Sequence, residues 1–424
     1  MGVSPSRVFK FDNGVTMSIA EPICGTIESF DEEPMNPLRV NLGAGDVAVP
    51  GFTPLDIKDG VDIRALPYAD GTLEEIRASH VLEHLGQKDL LPTIQHWYAK
   101  LKPGGTVSIA VPDFRKIIEL MNRGDGGNHP IESFIMGGQQ DEHDFHRSLF
   151  DSTKLDTLLR RGGFDFVRRW RSNANDCASM EAVTLNLRAT KPPFTLERAA
   201  LAMSVPRLMF TDSVACCDAL IARTGICPVK TGGAFWGQCM DRMLTVLRDK
   251  RDYDWIVTCD YDTIFQPGDV VALMELADEY GYDALCPLQI KRESAKEMLA
   301  SRKDADGNPI ETTHKELCQP ILPITSGHFG LTVIRVSALR DLPKPWFVAT
   351  PCPDGGYADE DTKVDDDIHF WRNWIKHGRT LGMAMDVPVG HMQRMVSWPT
   401  KDLGGGHQFI SEWSNTWRKP DWAW

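Results

Sequence analysis

Twice along this chain of 424 residues, short runs rich in β-branched residues alternate with stretches of helical spacing, and this alternation restricts the fold more than any single motif. Arg39-Val40-Asn41-Leu42, Thr53 to Ile57, Glu75 to Ala78 and Thr106 to Val111 read as strands, with Glu181 to Ala189 as a late one. Leu90 to Leu101, Arg115 to Asn122 and Ser152 to Arg161 read as helices, the last stopped by Gly162-Gly163. Such alternation folds as a mainly parallel sheet covered by helices. Lys191-Pro192-Pro193 then interrupts it, because proline donates no backbone hydrogen bond and restricts its neighbour. A second series follows: strands at Leu208 to Phe210, Trp255 to Cys259 and Ala284 to Pro287, helices at Phe235 to Leu247 and Pro267 to Tyr280.

The expectation is an α/β chain with a leader over 1–37, a domain over 38–190, a linker over 191–199, a second domain over 200–395 and a Trp-rich tail over 396–424. Short strands are expected in the leader at Val15 to Ala20 and Thr26 to Phe30. A chain of this length exceeds one ordinary core. Hydrophobic content of 42% and charged content of 25% are those of a soluble protein. No apolar run approaches the ~20 residues of a membrane span. The N-terminus lacks the basic-then-apolar pattern of a signal peptide. The ten cysteines form no Cys-X-X-Cys pair and no zinc spacing, so a reducing cytoplasm is expected. A formal charge of −13 disfavours nucleic acid as partner. It also means that a phosphorylated substrate needs local positive charge, such as a metal ion.

Asp260-Tyr261-Asp262 follows the apolar run Trp255 to Cys259. On an extended backbone, residues two apart face the same side. Asp260 and Asp262 are then expected to share a cleft while Tyr261 points away. Paired carboxylates suit Mg²⁺ or Mn²⁺, hard cations that bridge protein oxygens and phosphates.

Nearer the N-terminus, Asn41-Leu42-Gly43-Ala44-Gly45-Asp46 leaves the first strand, and Leu55-Asp56-Ile57 ends the next with an acid. Glycines there permit a sharp turn and close approach of a ligand, and the acid can accept both hydroxyls of a ribose. Val40 to Asp46, Gly51-Phe52 with Asp56, Asp62 with Leu66-Pro67, Ala78-Ser79-His80-Val81-Leu82-Glu83-His84 and the turn Leu101-Lys102-Pro103-Gly104-Gly105 together resemble class I S-adenosylmethionine-dependent methyltransferases over residues 38–190. The resemblance implies a Rossmann-like sheet with the cofactor at its strand ends. Gly43 and Gly45 would lie under the methionine part, Asp56 would hold the ribose, Asp62 and Leu66 would flank the adenine, and His80 would border the cofactor. It supplies no catalytic pair. Glu83 and His84 lie near where a methyl acceptor would bind, and His143 and His146 sit in an acid-rich loop. His84 and His146 are the candidate general bases, since histidine titrates near neutral pH.

Downstream, Gly327-His328-Phe329-Gly330 leads into a strand to Arg335, Asp365-Asp366-Asp367 open a helix carrying Trp371 and Trp374, and Val387-Pro388-Val389-Gly390 ends in His391. Three successive acids exceed what capping a helix dipole needs. With the Asp-X-Asp, this order resembles GT-A nucleotide-sugar-dependent glycosyltransferases over 200–395. The resemblance implies that Asp262 binds the divalent ion directly, Asp260 through water or the donor ribose, and His391 as third ligand. One of Asp365, Asp366 or Asp367, with the latter two favoured, would take the proton of an acceptor hydroxyl. Lys291 and Arg292 could meet phosphate. The tail, with Trp398, Trp413, Trp417, Trp422 and Trp424, could close over the donor on a Gly404-Gly405-Gly406 hinge, or simply dock.

Together these readings imply a bifunctional glycan-modifying enzyme that transfers sugar from a nucleotide-sugar donor to a glycan or other hydroxyl acceptor and methyl groups from S-adenosylmethionine. The alternatives are a glycosyltransferase with a non-catalytic docking domain, and a non-enzymatic carbohydrate-binding protein.

Overall fold

The computed structural model describes residues 6–10, 16–20, 38–124, 131–205, 209–250, 253–292, 298–304, 308–356, 363–400, 402 and 404–423. Residues 1–37 and 38–424 are separate compact units. In the first, β1 (Ser6–Lys10) and β2 (Thr16–Ala20) pair antiparallel. The expected strand at Thr26 to Phe30 lies outside the described residues.

The second unit holds two large sheets. In one, β3 (Arg39–Leu42), β4 (Thr53–Leu55), β5 (Leu73–Ser79), β6 (Leu101–Pro112), β7 (Asp165–Arg169) and β8 (Thr184–Thr190) are ordered β4-β3-β5-β6-β8-β7. The pairs from β4 to β6 are parallel, and β8 runs antiparallel to both β6 and β7. The reason lies in the connections. A parallel return needs a crossover, which α1 (Gln87–Lys100) supplies between β5 and β6. Only a short 3₁₀ turn at Cys177–Ser179 lies between β7 and β8, so they return antiparallel. α2 (Phe114–Arg123), α3 (Ile131–Met136) and α4 (Ser152–Arg161) complete this half. Trp97, Ile94, Leu155 and Leu159 bring α1 and α4 onto the sheet residues Ile76, Val107 and Leu185.

Two local expectations change. The strand expected over Thr53 to Ile57 stops at Leu55, because Asp56 turns away and caps a 3₁₀ turn, its carboxylate accepting from Lys58 N at 3.0 Å. The turn expected at Leu101 to Gly105 lies inside β6 as a bulge. Leu73 pairs with Leu101 but Glu75 with Thr106, so Lys102 to Gly105 are looped out of the ladder.

The other sheet contains β9 (Ala199–Ser204), β10 (Cys227–Thr231), β11 (Trp255–Cys259), β13 (Ala284–Leu288), β14 (Ile321–Pro323), β15 (Leu331–Arg335) and β16 (Leu381–Pro388), in the order β10-β9-β11-β15-β13-β16-β14. Its parallel and antiparallel pairs are equal in number, so it is mixed rather than mainly parallel. Every residue of β11 is buried, as a continuous apolar run in a central strand requires. β9 begins at the last residue of the expected linker and runs into the expected second domain. The strand expected at Leu208 to Phe210 is not one: Met209 is irregular, Phe210 caps α5 (Thr211–Thr224), and Leu208 lies outside the described residues. α6 (Trp236–Lys250), α7 (Pro267–Tyr280), α8 (His314–Leu317), α9 (Val336–Arg340) and α10 (Asp366–Lys376) flank the sheet. β12 (Thr263–Ile264) and β17 (Gly390–His391) form a separate two-residue ladder. In the tail, β18 (Met395–Pro399) and β19 (Gly405–Phe409) make a hairpin followed by α11 (Ile410–Thr416).

The two sheets meet where β7 packs against α7. Gly268 there has no side chain to spare: a Cβ would lie 3.0 Å from Val167 O. The buried Arg168 guanidinium reaches both carboxylate oxygens of Glu275, and donates to Phe166 O at 2.7 Å and Thr190 Oγ1 at 3.0 Å. Arg171 bonds Asp386 nearby, and Arg223 bonds Asp165. Among the described residues, no helix is long and apolar enough to cross a membrane.

Candidate active site

The loops after β11 and β13, the segment leading into β15, the end of β17 and the start of α10 surround a cavity of about 550 Å³. It is lined by Asp260, Asp262, Arg292, His328, His391 and Asp365 to Asp367, among others. What brings the distant acids and histidine together is the ladder between β12 and β17, in which Thr263 pairs with His391, reinforced by Met392 N donating to Asp262 O at 2.8 Å. His391 Nδ1 donates to Ile290 O at 2.9 Å, which turns Nε2 toward the acids. That nitrogen faces Asp262 Oδ2 at 3.4 Å. Asp262 is 3% exposed, and its Oδ2 has no hydrogen-bond partner. Two possible metal-ligand atoms, a carboxylate oxygen and a ring nitrogen, thus face each other. Arg292 Nη1 lies 3.4 Å from the same oxygen.

Asp260 turns elsewhere. Its Oδ1 accepts from the Trp236 indole at 3.2 Å. Burial, then the neighbouring charges of Asp262 and Asp367, push its carboxyl up to about 6. Residues 260–262 form a turn rather than an extended stretch, so Tyr261 does not point away as expected. It lines the same cavity, stacks on Phe210 with centroids 6.3 Å apart, and accepts from Arg292 at 3.2 Å. Trp236 is fixed by Phe329 and Phe347, which belong to an aromatic cluster with Phe370 and Trp371.

Asp365 is the N-cap of α10, and Asp366 packs against Gly237 of α6, where a Cβ would lie 2.3 Å from its Oδ2. Asp367 accepts from Ile368 N at 2.7 Å, and burial raises its carboxyl above the usual range. The tail reaches this region through Ile410, which shares a cavity of about 400 Å³ with Tyr261 and Arg292. Gly405 and Gly406 are strand residues of β19, not a free hinge. A Cβ on Gly406 would lie 2.2 Å from the Trp422 ring, and Trp398 packs on Trp413. Trp424 lies outside the described residues.

His328 was passed over in the sequence, although its flanking glycines mark a tight backbone. It accepts from Gly330 N at Nδ1, 3.1 Å away, and so donates from Nε2 to Pro287 O at 3.1 Å. Burial holds this imidazole down at about 4. The unfolded chain then binds one more proton than the native state between pH 6.5 and about 4. The contribution of this imidazole is whole above 6.5 and falls as pH drops through that window, by about 3 kcal/mol in all, while the raised carboxyls of Glu83 and Asp260 act in the opposite sense. The difference in thermal melts between the parent and His328→Gln is therefore expected to change through that window, and a pH-independent difference would remove this contribution.

In the other half, Gly43 and Gly45 both adopt positive φ, at 60° and 53°. Asp56, expected to hold a ribose, closes the glycine turn: it accepts from Gly45 N at 2.8 Å as well as from Lys58 N. Asp62 is engaged by Arg64 through both oxygens. Leu66 is 3% exposed and packs in the core. A Cβ on Gly43 would lie 2.2 Å from Val81 Cγ2, whereas one on Gly45 meets nothing within 4 Å. Gly43→Ala is therefore expected to cost about 2–4 kcal/mol and Gly45→Ala about 1 kcal/mol, read from urea midpoints.

Beyond the turn, the structure gathers histidines from two distant segments. His80 adopts φ 53° at the end of β5, and a 3₁₀ turn at Leu82–His84 carries Glu83 inward. Glu83 is 1% exposed, and burial pushes its carboxyl up to about 8. His84 and His146 stand edge to face, 4.8 Å between centroids, and both are lowered by burial; burial also brings His80 down to about 4. His143 stays on the surface.

No protein-family model and no curated protein matches the chain. Solved structures do. A197 from STIV is 14% identical, covering 50% of this chain and 94% of its own, with a TM-score of 0.34. A SAM-dependent methyltransferase from Archaeoglobus fulgidus is 15% identical over 37% of this chain and 87% of its own, at 0.24. Human N-acetylserotonin methyltransferase in complex with SAM is 12% identical over 37% and 40%, at 0.25. Scores this low carry no argument about activity; the α/β class rests on the two sheets themselves.

Proposed function

We propose that the cavity around Asp262 and His391 is the centre of a metal-dependent glycosyltransferase using a nucleotide-sugar donor, and that the half built on β3 to β8 is a methyltransferase-like domain. The observation that carries the first part is the approach of Asp262 Oδ2 to His391 Nε2, at 3.4 Å. A buried carboxylate oxygen without a hydrogen bond, opposite a ring nitrogen, fits a divalent cation, and the Nδ1–H bond to Ile290 O is the support that a ligating histidine receives. Asp262 and His391 would hold Mn²⁺ or Mg²⁺, with Asp260 meeting it through water. Such an ion supplies charge stabilisation for a departing nucleoside diphosphate.

The chain's own residues do the remainder. Arg292 offers positive charge to phosphate beside Asp262. Asp367, raised by burial, is suited to take a proton from an acceptor hydroxyl at the mouth of α10. The rigid Trp236 ring offers a face to a sugar. A thermal-shift screen of nucleotide sugars with and without Mn²⁺ tests this reading. A shift that needs both is expected; no shift with any of them would end it.

For the other half, Gly45 has open space beside it, and each Asp56 oxygen keeps a second lone pair for a ribose hydroxyl, so the turn fits S-adenosylmethionine, which would supply an electrophilic methyl group. The prior engagement of Asp62 by Arg64 and the burial of Leu66 favour a second reading, in which this half is a docking module. Calorimetric titration with S-adenosylmethionine separates the two: heat of binding supports a cofactor site, and its absence supports docking.

A further inference from the structure

The geometry points to a second, independent metal centre: a first-row divalent cation bound by Glu83, His84 and His146, with His80 in reach as a further ligand. One ligand atom from each of the first three lies within 4.8 Å of the others. His146 Nε2 is 3.9 Å from Glu83 Oε1, and His80 Nδ1 is 3.4 Å from the same oxygen. Both oxygens of the buried Glu83 carboxylate, and His84 Nδ1, have no hydrogen-bond partner. A buried carboxylate without a donor is costly, and a cation removes that cost.

The cluster is built, not incidental. Arg147 N and Ser148 N both donate to Glu83 O, at 2.8 and 3.0 Å, and Ser148 Oγ donates to Leu85 O at 2.7 Å. These bonds staple the segment carrying His146 onto the turn carrying Glu83 and His84. His146 Nδ1 donates to Phe134 O at 3.0 Å, which fixes its tautomer and aims the Nε2 lone pair inward. Imidazole-rich sets of this composition select Zn²⁺, Co²⁺ or Fe²⁺ over Mg²⁺, which prefers oxygen alone. Bond lengths of about 2.0–2.2 Å place tetrahedral donors about 3.3 Å apart, so the observed spacing closes on an ion by small side-chain rotations. Val81, between His80 and Glu83, packs against Gly43 of the glycine turn. The centre therefore adjoins the proposed cofactor pocket, but its existence does not depend on that reading.

The test uses the full chain freed of metal with a chelator and titrated with Co²⁺, whose ligand-field absorption reports nitrogen ligation. One equivalent is expected to develop the visible band, and Zn²⁺ to bleach it by displacement. Asp262→Asn, which disables the other candidate cation position, is expected to keep the band, as is His143→Ala on the exposed loop. Glu83→Gln and His146→Ala are expected to weaken binding at least 100-fold. Metal-free Glu83→Gln is expected to melt no lower than the metal-free parent, because it removes an unpaired buried acid, so loss of Co²⁺ there is not unfolding. A band that persists in Glu83→Gln and His146→Ala, or one that vanishes in Asp262→Asn alone, would overturn the assignment.

Discussion

Asp262→Asn is expected to lower Mn²⁺-dependent release of nucleoside diphosphate by about 10²–10³-fold, the cost of removing one preorganised charge from a site of this kind. The substitution keeps the shape of the side chain and leaves the backbone carbonyl that accepts from Met392 N. The two-residue ladder between β12 and β17 therefore remains, and thermal melts in the absence of metal should match the parent. What disappears is the negative charge facing His391 Nε2 and Arg292. The Mn²⁺-dependent thermal shift with nucleotide sugar should vanish with the rate. Initial rates equal to those of the parent would remove Asp262 from the mechanism.

Arg168→Met is the change expected to cost most stability, about 3–5 kcal/mol. Methionine can fill the aliphatic part of the space, but the guanidinium donates to Glu275, Phe166 O and Thr190 Oγ1 at once. Its loss leaves a carboxylate of α7 facing β7 with the Arg188 guanidinium, 4.0 Å away, as its remaining counter-charge, at the seam of the two sheets. Urea denaturation followed by tryptophan fluorescence measures the effect. The double variant with Glu275→Leu should recover part of the loss, since it removes the abandoned charge as well. An Arg168→Met protein as stable as the parent would show that the seam is held by apolar packing alone.

Much of the second half was legible because its strands and helices carry local signals that agree with their burial. Trp255 to Cys259 and Pro267 to Tyr280 lie where the sequence puts them. The latter is announced by Pro267 at its first turn and by Asp269, which accepts from Gln266 N at 2.7 Å. β9 was missed because Ala199-Ala200-Leu201-Ala202-Met203 lacks β-branched residues and follows two prolines; its extended form comes from pairing with β10 and β11, which no local window contains. The acids at 260 and 262 were legible as a pair, but their turn geometry was not, so Tyr261 entered the cavity unannounced. His84 and His146 each stood out as candidate bases. Their meeting around Glu83 depends on backbone bonds from Arg147 and Ser148, a contact that spacing alone does not encode.

The ladder joining Thr263 to His391 also carries a kinetic consequence. A nascent chain emerging from the ribosome holds its acidic pair for more than a hundred residues before the histidine is synthesised. Closing so long a loop is entropically slow and contributes late to folding. The cavity lined by Asp262 and His391 is thus unable to assemble until the segment carrying the histidine has left the ribosome.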